Sequence, residues 1–148
     1  MTPEIGTLVC ADVLVAKSST VAIVLRSFVA YSSTAEASIL LIMNPETYLD
    51  EPDWGVLLTA VDKGPSVGFS ANGSVSSLPV MMSSVFEGAL PVRLDSAYGT
   101  GQSQTVRYVI EYQNLPELVD LAVSWTACGI QPTSTAIPMP KILPQPIW

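Results

Sequence analysis

Four carboxylates within eight residues form the densest group of chemically capable side chains in this sequence. Glu46, Asp50, Glu51 and Asp53 follow Asn44. Carboxylates on a flexible loop suit Ca²⁺, which takes about six to eight oxygen ligands in tolerant geometry. However, the spacing matches no EF-hand register, and the glycine which that loop requires is absent. We therefore interpret the stretch as a solvated acidic loop and keep a Ca²⁺ site on these four residues as the weaker alternative.

The sequence contains no histidine, which is the strongest argument against an enzyme. Its absence removes the usual acid and base at neutral pH and the Ser-His and Cys-His nucleophile pairs. Glycosidases manage with two carboxylates, but four acids in one loop can meet almost any spacing, so that match is uninformative. No Asp-Thr-Gly turn and no Ser-x-x-Lys motif is present. We predict no enzymatic activity and no cofactor, and a histidine-free carboxylate-dependent hydrolase is the last alternative.

Two cysteines and two glycine-rich segments complete the chemical inventory. Cys10 and Cys128 are too few for a four-ligand zinc site, and we interpret them as small buried hydrophobes in a reducing compartment, with a disulfide as the alternative. Residues 64–73 and 99–101 are glycine-rich, but no helix pattern follows them and no lysine stands at the position of a phosphate-binding loop. They are predicted to be exposed loops.

The elements that position these residues are predicted to be strands. Val106, Tyr108, Ile110 and Tyr112 alternate with more polar residues, which is the period of a strand with one buried face. Similar short apolar segments, separated by Gly, Pro, Ser and Asn, predict strands at 8–16, 21–31, 38–43, 55–61, 74–82, 90–95, 104–112 and 119–128. The best helical candidate is one turn at 45–49, with Asn44 as its cap.

About eight short strands predict an all-β fold: a single antiparallel β-sandwich of jelly-roll or immunoglobulin-like Greek-key type. We place this domain at residues 1–130. Residues 131–148 hold five of the twelve prolines and one charge, and are predicted to form an extended Pro-rich C-terminal arm. Because the arm is also rich in apolar residues, which disordered tails lack, we expect it to pack on its own domain or on a neighbouring subunit.

Several apolar residues at loop edges or in the arm are candidates for a contact surface. Aromatic residues at such positions often anchor interfaces, and methionine suits adaptable contacts, whereas Trp125 on a strand face is predicted to belong to the core. The predicted interface residues are Trp54, Met81, Met82, Ile137, Met139, Ile142, Leu143, Ile147 and Trp148.

Charge limits the possible partners. Charged residues make up 13% of the chain and the net charge is −7, with the six basic residues scattered singly. Nucleic-acid binding requires clustered Lys and Arg, so we expect no nucleic-acid partner. No apolar run reaches 18 residues and no basic residue precedes the run at 8–16, so we expect neither membrane insertion nor a signal peptide, and synthesis in the cytosol.

Together these features predict a non-catalytic structural subunit. We expect it to oligomerise with itself or other proteins into a larger particle, such as a virion, phage particle or similar shell, in an outer or protruding position. The first alternative is a monomeric β-sandwich module that binds a glycan or a peptide.

Overall fold

The computed structural model of the chain describes residues 5–47, 53–54, 57, 64–71, 90–99 and 101–140. Eight strands lie within these ranges: β1 (Thr7–Lys17), β2 (Val21–Ala30), β3 (Thr34–Met43), β4 (Ser66–Ala71), β5 (Val92–Tyr98), β6 (Ser103–Glu111), β7 (Leu118–Trp125) and β8 (Ile130–Pro138). A short 3₁₀ turn, Thr126–Cys128, joins β7 to β8.

The strands form two antiparallel sheets, so the chain is all-β. The larger sheet has the order β1-β2-β3-β6-β5 and the smaller sheet has the order β4-β7-β8. All paired neighbours run antiparallel. The chain crosses between the sheets at the β3–β4, β4–β5 and β6–β7 connections. The β3–β4 and β6–β7 connections start from β3 and β6, which are neighbours in the larger sheet. They end at β4 and β7, which are neighbours in the smaller sheet.

Alternation of side chains builds a core between the sheets. In β3, every second residue from Ala35 to Met43 is buried, and β6 has the same period from Gln104 to Ile110. Successive side chains of a strand point to opposite faces, so the period of two in the sequence becomes one buried and one outward face. Trp125 is fully buried, as predicted.

Phe69 on β4 connects the two sheets. Its ring centroid lies 6.4 Å from that of Phe28 on β2 and 6.0 Å from that of Tyr108 on β6, the second in an edge-on arrangement. These separations are within the range in which aromatic rings attract one another beyond simple burial. We call Phe28, Phe69 and Tyr108 the aromatic bridge.

Tyr112 fixes one end of the sandwich. Its ring is buried directly after β6, and its hydroxyl lies 2.6 Å from the carbonyl oxygen of Thr34 and also contacts that of Tyr31. The backbone N–H of Tyr112 donates to the carbonyl oxygen of Ser33. The β2–β3 turn and the end of β6 are therefore held together by one side chain and its own backbone.

Six predicted strands are confirmed with small changes at their ends, namely those at 8–16, 21–31, 38–43, 90–95, 104–112 and 119–128. The predicted turn after Asn44 is present at 45–47, where the Asn44 side-chain oxygen accepts the Glu46 N–H at 3.0 Å. The largest extension is in β3, which starts four residues earlier than predicted because Ala35–Ala37 pair with both β2 and β6 and Thr34 pairs with β6.

Two predictions about the middle of the chain are wrong. Residues 66–71 form β4 instead of part of a glycine-rich loop, because Val67 and Phe69 are buried in the core and the strand pairs with β7. The predicted strand at 55–61 is replaced at Leu57 by a helical turn, in which the Leu57 N–H donates to the Asp53 carbonyl oxygen. The predicted strand at 74–82 lies outside the described residues.

The first part of the predicted arm is a strand. Residues 131–138 belong to β8, which pairs with β7 through Ile137 opposite Val119. Pro132 and Pro138 fit there because β8 is an edge strand, where a missing N–H interrupts no ladder between two neighbours. Residues 141–148 lie outside the described part of the chain.

The buried Tyr108 hydroxyl gives a prediction about alkaline stability. Burial raises the pKa of Tyr108 well above its ordinary value. Its contribution to the free energy of unfolding is therefore complete below the pKa of an unfolded tyrosine, about 10, and is lost as the pH rises further. In wild type the free energy of unfolding should therefore fall by up to about 1.4 kcal/mol per pH unit from this titration, and Tyr108→Phe should remove that part of the fall. The measurement is urea unfolding between about pH 9 and about pH 11.

The control is Tyr98→Phe, which removes the hydroxyl of a tyrosine that is 60% exposed and so reports the effect of the substitution itself. An equal decline in wild type and the Tyr108→Phe variant would show that the Tyr108 hydroxyl is not held neutral by the fold.

Candidate functional site

The acidic loop is only partly within the described residues. Glu46 and Asp53 are exposed, and Asp50 and Glu51 lie outside the description. The carbonyl oxygen of Asp53 accepts the first hydrogen bond of the helical turn. Across the described residues, no group of three or more His, Cys, Asp or Glu side chains is arranged to hold a metal ion.

Three of the predicted contact residues lie in the buried core of this chain. Trp54 is 9% exposed, lies 6.5 Å from Trp125 between ring centroids, and donates its indole N–H to the Gly101 carbonyl oxygen at 3.1 Å. Ile137 and Met139 are also buried, because β8 carries them against the core. The other predicted contact residues, Met81, Met82, Ile142, Leu143, Ile147 and Trp148, lie outside the described residues.

Both cysteines are unbridged thiols, and both are half-buried. Burial raises the pKa of Cys10 and of Cys128, so little of either thiol is in the reactive thiolate form near neutral pH. Neither thiol has the depressed pKa of a catalytic nucleophile.

The large hydrophobic side chains that the described residues leave exposed are concentrated on the two edges of the larger sheet. Leu8 and Leu14 are on β1 and Ile5 precedes that strand, while Leu94 and Tyr98 are on β5. Each is between 45% and 61% exposed. This set was not predicted, because which strands form the edges of a sheet depends on the pairing order and not on the composition of a strand.

A row of side chains connects the two edges across the outer face of the larger sheet. The register places Leu14 beside Val24, Val24 beside Leu40, Leu40 beside Thr105, and Thr105 beside Tyr98. Outward positions of a sandwich are usually polar, yet this row is mostly apolar. The larger sheet therefore carries apolar side chains along this row of its outer face as well as on its two edges.

Strand β1 is irregular in a way that limits direct pairing at its free edge. The register shifts between Leu8 and Cys10 and again between Leu14 and Ala16. Between these shifts, Asp12 has a φ of 53°, a left-handed conformation that is uncommon for residues other than glycine. Bulges and charged residues are the usual devices that prevent a further strand from adding to an edge.

A cleft of about 770 Å³ opens at the end of the sandwich beside Tyr112. Its described lining includes Glu111, Gln113 and Asn114. Glu111 is the one carboxylate in that described lining, whereas carboxylate-dependent glycoside hydrolysis needs a pair. The cleft gives no support to the hydrolase alternative.

No protein-family model, curated protein sequence or solved structure shows a significant match to this chain. In the part of the chain that is described, no helix is long and apolar enough to span a bilayer.

The conformation of Asp12 gives a prediction about stability. A residue with a Cβ pays about 1–2 kcal/mol in the left-handed region, and glycine does not. We expect Asp12→Gly to be more stable than Asp12→Ala by about 1 kcal/mol in chemical unfolding. At the neighbouring Ala11, where the strand conformation is ordinary, glycine should instead cost about 0.5–1 kcal/mol relative to alanine. If Asp12→Ala were the more stable variant, the left-handed conformation of Asp12 would be incorrect.

Proposed function

We propose that this chain is a non-catalytic structural subunit that assembles through protein–protein contacts into a larger particle, such as a virion, phage particle or similar shell. The observation that carries this proposal is the position of the exposed hydrophobic residues. They lie on β1 and β5, the opposite edges of one five-stranded sheet. A subunit of an extended assembly needs at least two separate contact surfaces, and these edges supply them.

The two edges favour a head-to-tail arrangement. Strands β1 and β5 are separated by four inter-strand spacings, about 19 Å in all, so each edge can meet a different neighbouring subunit. Contact between the β1 edge of one subunit and the β5 edge of the next is heterologous, and repetition of such a contact produces a ring or a filament. The contact is proposed to form by side-chain packing, because bulges in β1 and β5 oppose regular strand addition.

The electrostatics support an outer position in the particle. Three arginines are described, and each forms an ion pair with a carboxylate: Arg26 with Asp12, Arg93 with Asp95, and Arg107 with Glu36, at 3.3–3.4 Å. The net charge is −7, and the described residues hold no unpaired basic cluster of the kind that contact with packaged nucleic acid would require. We therefore propose protein partners only.

The strand order favours the immunoglobulin-like fold over the jelly-roll. The order β2-β3-β6-β5 in one sheet and β4-β7-β8 in the other corresponds to the ABED and CFG sheets of an immunoglobulin constant-type domain. Tyr112 lies in the corresponding E–F connection, but its hydroxyl bonds to the Thr34 carbonyl oxygen 78 residues upstream, so it differs from a tyrosine corner, which bonds to backbone a few residues upstream. In this proposal β1 is an additional edge strand that carries one of the two contact surfaces.

The experiment is size-exclusion chromatography with light scattering on the full chain over a series of concentrations. We expect wild type to form assemblies larger than the 15.7 kDa monomer. The double variant Leu8→Lys/Leu14→Lys and the single variant Leu94→Lys should each be monomeric, because burying a lysine in an apolar contact is unfavourable. Ser134→Lys, on exposed β8, is the matched control and should assemble as wild type does.

A mixture separates the head-to-tail arrangement from a symmetric one. Each blocked variant retains one intact edge, so an equimolar mixture of the two should form a heterodimer of twice 15.7 kDa. A wild-type chain that remains a monomer up to about 1 mM, where a contact of about 4 kcal/mol would be populated, would overturn the proposal. Assembly that survives both sets of substitutions would overturn the assignment of the edges.

A further inference from the structure

A polar groove crosses the outer face of the larger sheet. Its volume is about 500 Å³, within the range of about 300–1,000 Å³ that small-molecule sites occupy. All five strands of the sheet contribute to its lining, which consists of Asp12, Arg26, Ser27, Ser38, Thr105 and Tyr98. We call it the transverse groove.

The groove results from the sizes of the side chains along the sheet. Ser27 and Ser38 are paired in the register at the centre, and with Thr105 they form a low floor. Tyr98 stands on the β5 side, and the ion pair between Asp12 and Arg26 stands on the β1 side. Arg107 is opposite Ser38 in the register, but its guanidinium turns to Glu36 at 3.3 Å and leaves the floor clear. The side chains at the two sides of the groove are therefore large, and those along its floor are small.

The lining combines an aromatic face with several hydroxyl groups. The Tyr98 side chain is 60% exposed, so one face of its ring is available for stacking. Three hydroxyl groups along the floor can each donate and accept a hydrogen bond. Arg26 Nε lies 3.3 Å from Asp12 Oδ1, which places several donors and acceptors on the opposite wall. Sugars present this same combination, with apolar C–H faces for stacking and neighbouring hydroxyls for paired hydrogen bonds.

We propose that the transverse groove binds a neutral oligosaccharide, with one sugar ring on Tyr98 and the hydroxyls of the next units on the floor and on the Asp12–Arg26 wall. This goes beyond the proposed assembly role: Tyr98 is assigned here to the groove, Leu94 remains the contact residue of β5, and the floor residues Ser27, Ser38 and Thr105 lie on the inner strands of the sheet. A subunit in an outer position would then carry a glycan-binding surface of its own.

The charges of the groove exclude an anionic ligand as the preferred one. Among the described residues of the lining, Arg26 is the one cation, and its charge is already balanced by Asp12. Since a phosphate or sulfate would have to compete with that carboxylate, a ligand without charge fits better.

A bound peptide strand is disfavoured for a different reason. On a sheet face the backbone N–H and C=O groups of the inner strands are already used in the ladders to both neighbours. Strand addition needs a free edge, whereas this groove offers side chains only. A ligand recognised through hydroxyls and one ring face is the better match.

The backbone at Asp12 supports a binding role for this wall. The left-handed conformation of Asp12 costs free energy, and such residues are often found at binding sites because the surrounding structure holds them there. Here the conformation lies between two register shifts of β1 and places the carboxylate against Arg26.

The test is titration of the full chain with three neutral hexasaccharides, a β-1,4-glucan, an α-1,4-glucan and a β-1,4-mannan, followed by NMR of backbone amides. We expect at least one of them to bind and to shift the amides of Ser27, Ser38 and Tyr98. Tyr98→Ala should weaken that binding by about tenfold through loss of stacking, and Tyr98→Phe should retain it within about threefold, because the ring and not the hydroxyl makes the contact.

The control is Leu94→Lys, which lies on the same strand but outside the groove and should bind the sugar as wild type does. Because that variant is expected to be monomeric, it separates the failure of this inference from the failure of the assembly proposal. The inference is overturned if none of the three sugars binds at about 10 mM, if binding persists unchanged in Tyr98→Ala, or if a sulfated hexasaccharide binds while the neutral ones do not.

Discussion

The contact of Phe69 with Phe28 and Tyr108 is the interaction on which the rest of this structure depends. The smaller sheet has three strands, and Phe69 brings its edge strand β4 against the centre of the larger sheet, at 6.0–6.4 Å from both partner rings. Once the sheets are held in this way, β2, β3 and β6 each place alternate residues in the core and the others on the outer face, whereas no residue of β5 is buried. The edges β1 and β5, and the outer face between them, are then the parts of the larger sheet that remain to meet a partner.

This arrangement explains how a chain with so few charges presents an apolar surface in particular places. The inward residues of both sheets form the core, and the hydrogen bond from the Tyr112 hydroxyl to the Thr34 carbonyl oxygen closes one end of the sandwich. The surplus of exposed apolar side chains is on the free edges of the larger sheet and in a row across its outer face. Bulges and Asp12 make these edges poor templates for strand addition, so the surfaces suit side-chain contacts with folded partners.

The sequence predicted the fold class and six of the strands because strict alternation, as in β6, is a local property of the chain. It did not predict β4, whose glycine and serines resemble a loop until Val67 and Phe69 meet the opposite sheet. It also did not predict β8, because its prolines are typical of an extended arm. An edge strand tolerates proline, but only the pairing order shows that β8 is an edge strand. The candidate site was harder still. Trp54, Ile137 and Met139 were predicted to be contact residues, but the exposure of an apolar residue depends on its tertiary neighbours, which composition does not encode.

Hydrogen–deuterium exchange on the full chain tests whether β1 and β5 are the contact surfaces of an assembly subunit. Exchange would be compared between dilute and concentrated protein, peptide by peptide. We expect slower exchange at high concentration in Thr7–Lys17 and Val92–Tyr98, with Ile130–Pro138 at the edge of the other sheet unchanged. Protection confined to Ile130–Pro138, or no change in any strand, would contradict it.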